Sequence, residues 1–277
     1  MTHQQIQLVM SDIDGTILND QHAVEAELKE VLKELRGKNI PFILASARSP
    51  RGIYPIAEQL DILDNPVVCY NGALILKNAN LSHYMPVFSQ ELDRKELSVL
   101  FAVVHKQFPG ISLNVYSGVN WYIEKFDRWV QIEASITGEV PVEKNLDQLI
   151  QNGNVPVHKL LLIGTPEEVK ELQEYCTYLQ LANTTFTLSK ENYLEVTHRN
   201  VSKEKALIEL SKLYRVPLEN TMTIGDNFND IPMLSLAGIG VAMANAPEEV
   251  KKSARVTTLS NNENGVTEAL KKFILNR

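Results

Sequence analysis

Apolar residues recur along this chain in two different rhythms, and the switch between them divides it. Ile6–Met10 has the length and composition of a short buried strand, and it stops at the polar cluster Ser11-Asp12-Ile13-Asp14-Gly15-Thr16. Val24, Leu28, Val31, Leu32 and Leu35 then return at helical spacing, with Gly37 placed to cap the helix. Ile40–Ala45 reads as a second buried strand and ends at Ser46-Ala47-Arg48. Pro50 is suited to open a helix whose Ile53, Ile56, Ala57 and Leu60 share one face. Val67–Tyr70 and Ala73–Leu76 flank Asn71-Gly72, a tight hairpin signal. Alternating strand and helix predict a parallel α/β sheet.

The middle of the chain behaves differently. Leu97, Leu100, Phe101, Val104 and Phe108 mark a helix, and two alternating strands, Ile111–Ser117 and Val119–Lys125, follow it around Gly118. A short helical stretch near Arg128–Ser135, a strand at Val157–Ile163 and a capping box at Thr165-Pro166-Glu167-Glu168 come next. Strands near Thr184–Leu188 and Tyr193–Thr197 close the region. Parallel α/β character then returns. Ser202 can cap a helix carrying Ala206, Leu207, Leu210 and Leu213, and Thr221–Ile224 leads into Gly225-Asp226-Asn227-Phe228-Asn229-Asp230. Ile239–Met243 is one more strand, with helices expected after Pro247 and after Asn264. The expected organisation is a discontinuous α/β domain, residues 1–84 and 191–277, interrupted by an α+β domain at 85–190.

The polar clusters carry the chemistry. Asp12 and Asp14 follow the first strand, Ser46 the second, and Asp226 and Asp230 a later one. Open parallel sheets bind ligands outside the carboxyl ends of their strands, so these groups are expected to converge. Asp-x-Asp-Gly-Thr alone suits a capped turn equally well. A second Gly-Asp-x-x-x-Asp after another strand favours a hard cation, because clustered carboxylates repel one another and Mg²⁺ takes oxygen ligands.

Composition narrows the class. With 277 residues, 44% hydrophobic and 22% charged, the chain is neither disordered nor fibrous, and its length suits about two domains. A net charge of −7 argues against nucleic acid as the main partner. It leaves room for a small anionic substrate beside a metal ion and a lysine. Cys69 and Cys176 lie in apolar surroundings and are expected to be buried free thiols. No secretory signal or membrane span is evident, so a soluble, cytoplasmic protein is expected.

Asp12-Ile13-Asp14-Gly15-Thr16-Ile17, Ser46, Lys203 and Gly225-Asp226-Asn227-Phe228-Asn229-Asp230 together resemble, in chain order, the four motifs of the haloacid dehalogenase superfamily of phosphohydrolases. The position and length of the insertion resemble the Cof subfamily, which carries a C2B cap. The resemblance implies a Rossmann-like core and a Mg²⁺-dependent phosphatase acting on small phosphorylated metabolites, such as sugar phosphates or phosphorylated cofactors. It further implies that Asp12 is the nucleophile, forming an aspartyl-phosphate, and also a Mg²⁺ ligand. Asp14 would act as general acid and then base, its backbone carbonyl ligating Mg²⁺. Asp226 would be the third protein ligand, with Asp230 supporting the metal's surroundings. Ser46, Lys203 and Asn229 would hold the phosphoryl group, and Asn71 and Gly72 would line the substrate cleft.

Departures from the pattern are Ala47, where glycine is frequent, and Glu204, where glycine is usual after the lysine. Arg48 is suited either to a substrate or to pairing with a carboxylate. His105, Trp121, Tyr122 and Arg128 of the insertion fall in no motif. A phosphotransferase or mutase, or a non-catalytic metabolite-binding protein, are the alternative readings of the same fold. The substrate and the oligomeric state are not legible.

Overall fold

In a computed structural model that describes residues 5–81 and 83–276, the chain divides into two compact units, residues 1–88 with 202–277 and residues 89–201. The crossings therefore fall at 88/89 and 201/202, not at the expected 84/85 and 190/191.

The first unit begins with β1 (Leu8–Ser11), α1 (Ala26–Gly37), β2 (Phe42–Ala45), α2 (Pro50–Gln59), β3 (Val67–Cys69), β4 (Leu74–Asn80) and β5 (His83–Ser89). The inserted unit contributes α3 (Arg94–Gln107), β6 (Ser112–Ser117), β7 (Asn120–Ile123), α4 (Arg128–Thr137), β8 (Val142–Glu143) and α5 (Leu146–Gln151). It continues with β9 (Lys159–Ile163), α6 (Pro166–Cys176), β10 (Thr184–Lys190) and β11 (Tyr193–His198). The first unit resumes with α7 (Lys203–Tyr214), β12 (Thr221–Gly225), α8 (Ile231–Leu236), β13 (Ile239–Ala242), α9 (Glu248–Ser253), β14 (Val256–Thr257) and α10 (Gly265–Leu270).

The strands of the first unit form one sheet in the order β14-β13-β12-β1-β2-β3-β4-β5, parallel from β14 through β3, with β4 antiparallel to β3. Every residue of β1, β2 and β12 is buried, as expected for strands covered by crossover helices. Leu8, Met10, Ile43, Ala45 and Val68 pack on one face against Ala206, Leu207 and Leu210 of α7, with Met233 and Val250 beside them. Gly37 is the last residue of α1 rather than its cap: Lys38 caps the helix, and the left-handed residue is Asn39, at φ 57°.

The hairpin at Asn71-Gly72 is present, with Val67 opposite Leu76 and Cys69 opposite Leu74. Its turn is wider than two residues, because Tyr70, Asn71 and Gly72 all take positive φ. The amides of Tyr70 and Asn71 donate to the carbonyls of Arg48 and Ser46, at 3.0 and 2.9 Å. That tie fixes the turn to the end of β2.

In the inserted unit the sheet order is β10-β11-β9-β6-β7-β8. Leu113 and Val115 of β6, Leu160 and Leu162 of β9, and Leu194 and Val196 of β11 alternate onto one face. There they meet Leu97, Leu100, Phe101 and Val104 of α3, Leu146 and Ile150 of α5, and Val169 and Leu172 of α6. Strand β11 pairs with both β9 and β10, so the second crossing cannot precede it, and this accounts for the displaced boundary. Sequence periodicity did not mark β5, β8 or α5. The two residues of β8 are both exposed and α5 has only six residues, too short for either periodicity to register.

Candidate active site

Asp12, Ser46 and Asp226 directly follow β1, β2 and β12, so register alone sets them along one carboxyl edge. The Asp12 amide donates to the Ile224 carbonyl at 2.9 Å, which pins the start of the loop. Gly15 stands at φ 76°, and a Cβ there would collide with the Asp226 carboxylate. This is the position where the loop needs glycine. The next residue, Thr16, donates its hydroxyl to Asp226 Oδ1 at 2.6 Å.

The centre is a buried ammonium between two carboxylates. Lys203, the first residue of α7, is 1% exposed, and its Nζ donates to Asp12 Oδ1 and to Asp230 Oδ1, each at 2.6 Å. The other Asp230 oxygen accepts the backbone amides of Asp226 and Asn227, both at 3.0 Å. Asp230 is fully buried and its carboxylate is committed to these three donors. One carboxylate oxygen from each of Asp12, Asp226 and Asp230 lies within 4.8 Å of the others. Since Asp230 is spent on Lys203 and the two amides, Asp12 and Asp226 are the side chains left to face a cation.

Electrostatics point the same way. Burial pushes the Asp12 carboxyl well above its ordinary value, against the pull of Lys203 and with added repulsion from Asp230 and Asp226. Asp226 is raised to about 6, mainly by burial, with Asp230 adding to it and the Thr16 hydroxyl opposing. For Lys203 burial works downward, but the two carboxylates outweigh it and its pKa is raised. Burial and the excess of carboxylates over cations thus drive Asp12 and Asp226 toward holding a proton. A divalent cation would remove that excess, and the oxygen donors present suit Mg²⁺.

The remaining candidates are placed as follows. Asp14 lies outside the carboxylate cluster: Arg48 grips its side chain from Nε to Oδ2 at 2.9 Å and from Nη2 to Oδ1 at 2.5 Å. In this structure Arg48 thus takes the carboxylate-pairing alternative. Ser46 is buried, with its hydroxyl accepting the Arg48 amide at 3.2 Å. Asn229 donates its side-chain amide to Asn71 Oδ1 at 3.1 Å, joining two segments distant in sequence. Gly72 packs so closely on the Ser202 carbonyl that a Cβ would overlap it, which locks the hairpin turn to the start of α7.

Three participants escaped sequence reasoning. Thr16 orients Asp226, Asn227 gives an amide to Asp230, and Asn245 donates to the Gly15 carbonyl at 2.8 Å. Thr16 and Asn227 lie inside the motifs, where they read as turn-formers. No local signal marks Asn245, which follows β13 in an unremarkable Met-Ala-Asn-Ala run.

Residues 9–270 match the sequence profile of the haloacid dehalogenase-like hydrolases. A Haemophilus influenzae protein named for a phosphatase activity is 35% identical over 259 residues, covering 93% of this chain and 94% of that protein. The 5-amino-6-(5-phospho-D-ribitylamino)uracil phosphatase YcsE of Bacillus subtilis is 27% identical over 273 residues, covering 98% and 96%. Among solved structures, a haloacid dehalogenase-like hydrolase from Bacteroides thetaiotaomicron superposes with a TM-score of 0.85 at 29% identity, covering 98% of this chain and all of the other.

Proposed function

The chain belongs to the haloacid dehalogenase-like hydrolases, and from that premise we propose that it is a Mg²⁺-dependent phosphatase that hydrolyses small phosphate monoesters through an aspartyl-phosphate on Asp12. The observation that carries the reading is the buried Asp12–Lys203–Asp230 triad beside Asp226. Buried charge of this kind is costly to maintain for stability alone.

The Asp12 carboxylate, oriented by Lys203, attacks phosphorus, and the bond to the ester oxygen breaks. Asp14 gives the leaving alcohol its proton. It then takes a proton from water as that water attacks phosphorus and releases phosphate from Asp12. Arg48 holds both oxygens of the Asp14 carboxyl, so Asp14 reaches the leaving oxygen only once that pair opens. An incoming phosphoryl group competes for the same guanidinium. Lys203 neutralises charge on the transferring group, while Ser46 and Asn229 supply short donors to its oxygens. Mg²⁺ held by Asp12, Asp226 and the Asp14 backbone carbonyl would polarise the phosphoryl group.

The substrate class is that of sugar phosphates and phosphorylated cofactors. The relative named for a phosphoribityl compound adds phosphorylated polyols to the panel worth testing. Substrate selection is assigned to the inserted unit, which holds none of the Asp12 cluster. The test is phosphate release from such a panel with Mg²⁺, wild type against Asp12→Asn. Turnover that persists in Asp12→Asn refutes the covalent route. Formation of an isomeric sugar phosphate without free phosphate identifies a mutase instead.

A further inference from the structure

The inserted unit holds a second group of ligating side chains, assembled from three elements. His105 comes from the last turn of α3, Glu124 directly follows β7, and Asp147 lies in the first turn of α5. His105 Nε2 stands 3.0 Å from Glu124 Oε1, and its Nδ1 is 3.8 Å from Asp147 Oδ2. One donor atom from each residue lies within 4.8 Å of the other two. The imidazole is positioned from behind by an edge contact with Phe101, with ring centroids 6.1 Å apart at 72°. Phe101 belongs to the core of the unit, so the ring is presented from a rigid base.

Charge is unbalanced here. Glu143 and a single lysine, Lys144, line the same surface depression as Glu124 and Asp147. Among the described residues no lysine or arginine nitrogen lies within ion-pair distance of any of these three carboxylates. Glu124 and Asp147 face one imidazole, that of His105, while Glu143 accepts the Phe126 backbone amide at 3.0 Å. One nitrogen and two carboxylate oxygens form a donor set for a borderline divalent cation. Bond lengths near 2.0–2.2 Å place such donors roughly 3.3 Å apart around a tetrahedral ion. The His105–Glu124 pair already meets that spacing. Glu124 and Asp147 are partly exposed, so torsions about their side chains can bring them onto one imidazole nitrogen at little cost.

We propose that His105, Glu124 and Asp147 form a surface site for a divalent transition-metal ion of the Zn²⁺ type, distinct from the Asp12 cluster and clipping α3, β7 and α5 together. The fourth position would be open to water or to Glu143. Imidazole in the set disfavours Mg²⁺ and Ca²⁺, which prefer all-oxygen shells.

The test is Zn²⁺ titration of the full chain by calorimetry in excess Mg²⁺, with the His105 ring nitrogens followed by NMR. Wild type is expected to bind one more Zn²⁺ than His105→Ala or Glu124→Gln, and Asp226→Ala is expected to keep that extra equivalent. The His105 nitrogen signals should shift with the same saturation point, and either site substitution should weaken binding at least tenfold. All three side chains are partly exposed, and Trp121 and Trp129 fluorescence verifies that the variants' inserted unit is folded. Equal stoichiometry and affinity in wild type and His105→Ala overturn the proposal. So do His105 signals that ignore Zn²⁺ while titrating as a cation held between two carboxylates.

Discussion

Replacing Asp230 by asparagine changes one atom's chemistry at nearly constant volume, in a position that is fully buried. In the wild type its carboxylate accepts three bonds, from Lys203 Nζ at 2.6 Å and from the Asp226 and Asn227 amides at 3.0 Å. Asparagine accepts at one end only. With its oxygen toward the two amides, its own NH₂ confronts the Lys203 ammonium; with the oxygen toward Lys203, the NH₂ confronts two N–H groups. Either way buried donors face donors, at about 1–3 kcal/mol for each group left unsatisfied. Lys203 also loses one of its two counter-charges. One-sided disruption of a buried ion pair costs about 3–5 kcal/mol, and that range is the expected destabilisation of the first unit.

Both tryptophans lie in the inserted unit, so their fluorescence reports that unit. Native-state hydrogen exchange of the β1 and β12 amides reports the other. Exchange protection of those amides should fall by about 3–5 kcal/mol in Asp230→Asn, while the fluorescence transition in denaturant barely moves. In the double variant Asp230→Asn/Lys203→Met the loss should be well below the sum of the single losses, because removing the ammonium also removes the donor conflict. A loss under about 1 kcal/mol in the single variant, or full additivity in the double, refutes this account of Asp230.

Gly15→Ala should cost about 1–2 kcal/mol through its left-handed backbone and should displace Asp226. Half-saturating Mg²⁺ for phosphate release should rise at least tenfold, and an unchanged Mg²⁺ dependence would contradict the collision. Lys203→Ala should instead act mainly on kcat, by roughly 2–4 kcal/mol in barrier, with pre-steady-state kinetics as the check. His158 is buried with Nδ1 accepting the Gly118 amide at 3.0 Å, and burial lowers its pKa to about 4 from 6.5. The folded state refuses a proton that the unfolded chain accepts, so the unit keeps its full stability above pH 6.5. Between pH 6.5 and 4 it should lose about 3 kcal/mol. His158→Gln should flatten that acid slope in tryptophan-monitored denaturation, and parallel slopes would rule His158 out as the cause.

Much of the chemistry was legible because it is local. Buried strands end where polar clusters begin, and in a parallel sheet every such end lies on one edge, so Asp12, Ser46 and Asp226 could be grouped from their neighbours alone. Capping is equally local: Thr165 and Ser202 each accept the amide that their sequence context foretells. What sequence could not express is which side chain meets which across long separations. That Lys203 bridges Asp12 and Asp230, that Thr16 rather than a residue near Asp226 orients it, and that Arg48 takes Asp14 depend on the sheet bringing distant loops together. The same holds for the edge of the insertion. Tyr193–His198 reads as a strand in isolation, but only its pairing with β9 and β10 assigns it to the inserted sheet. Periodicity records backbone conformation and burial one element at a time, whereas partnership is decided by packing, where long-range contacts gather residues that share no local signal.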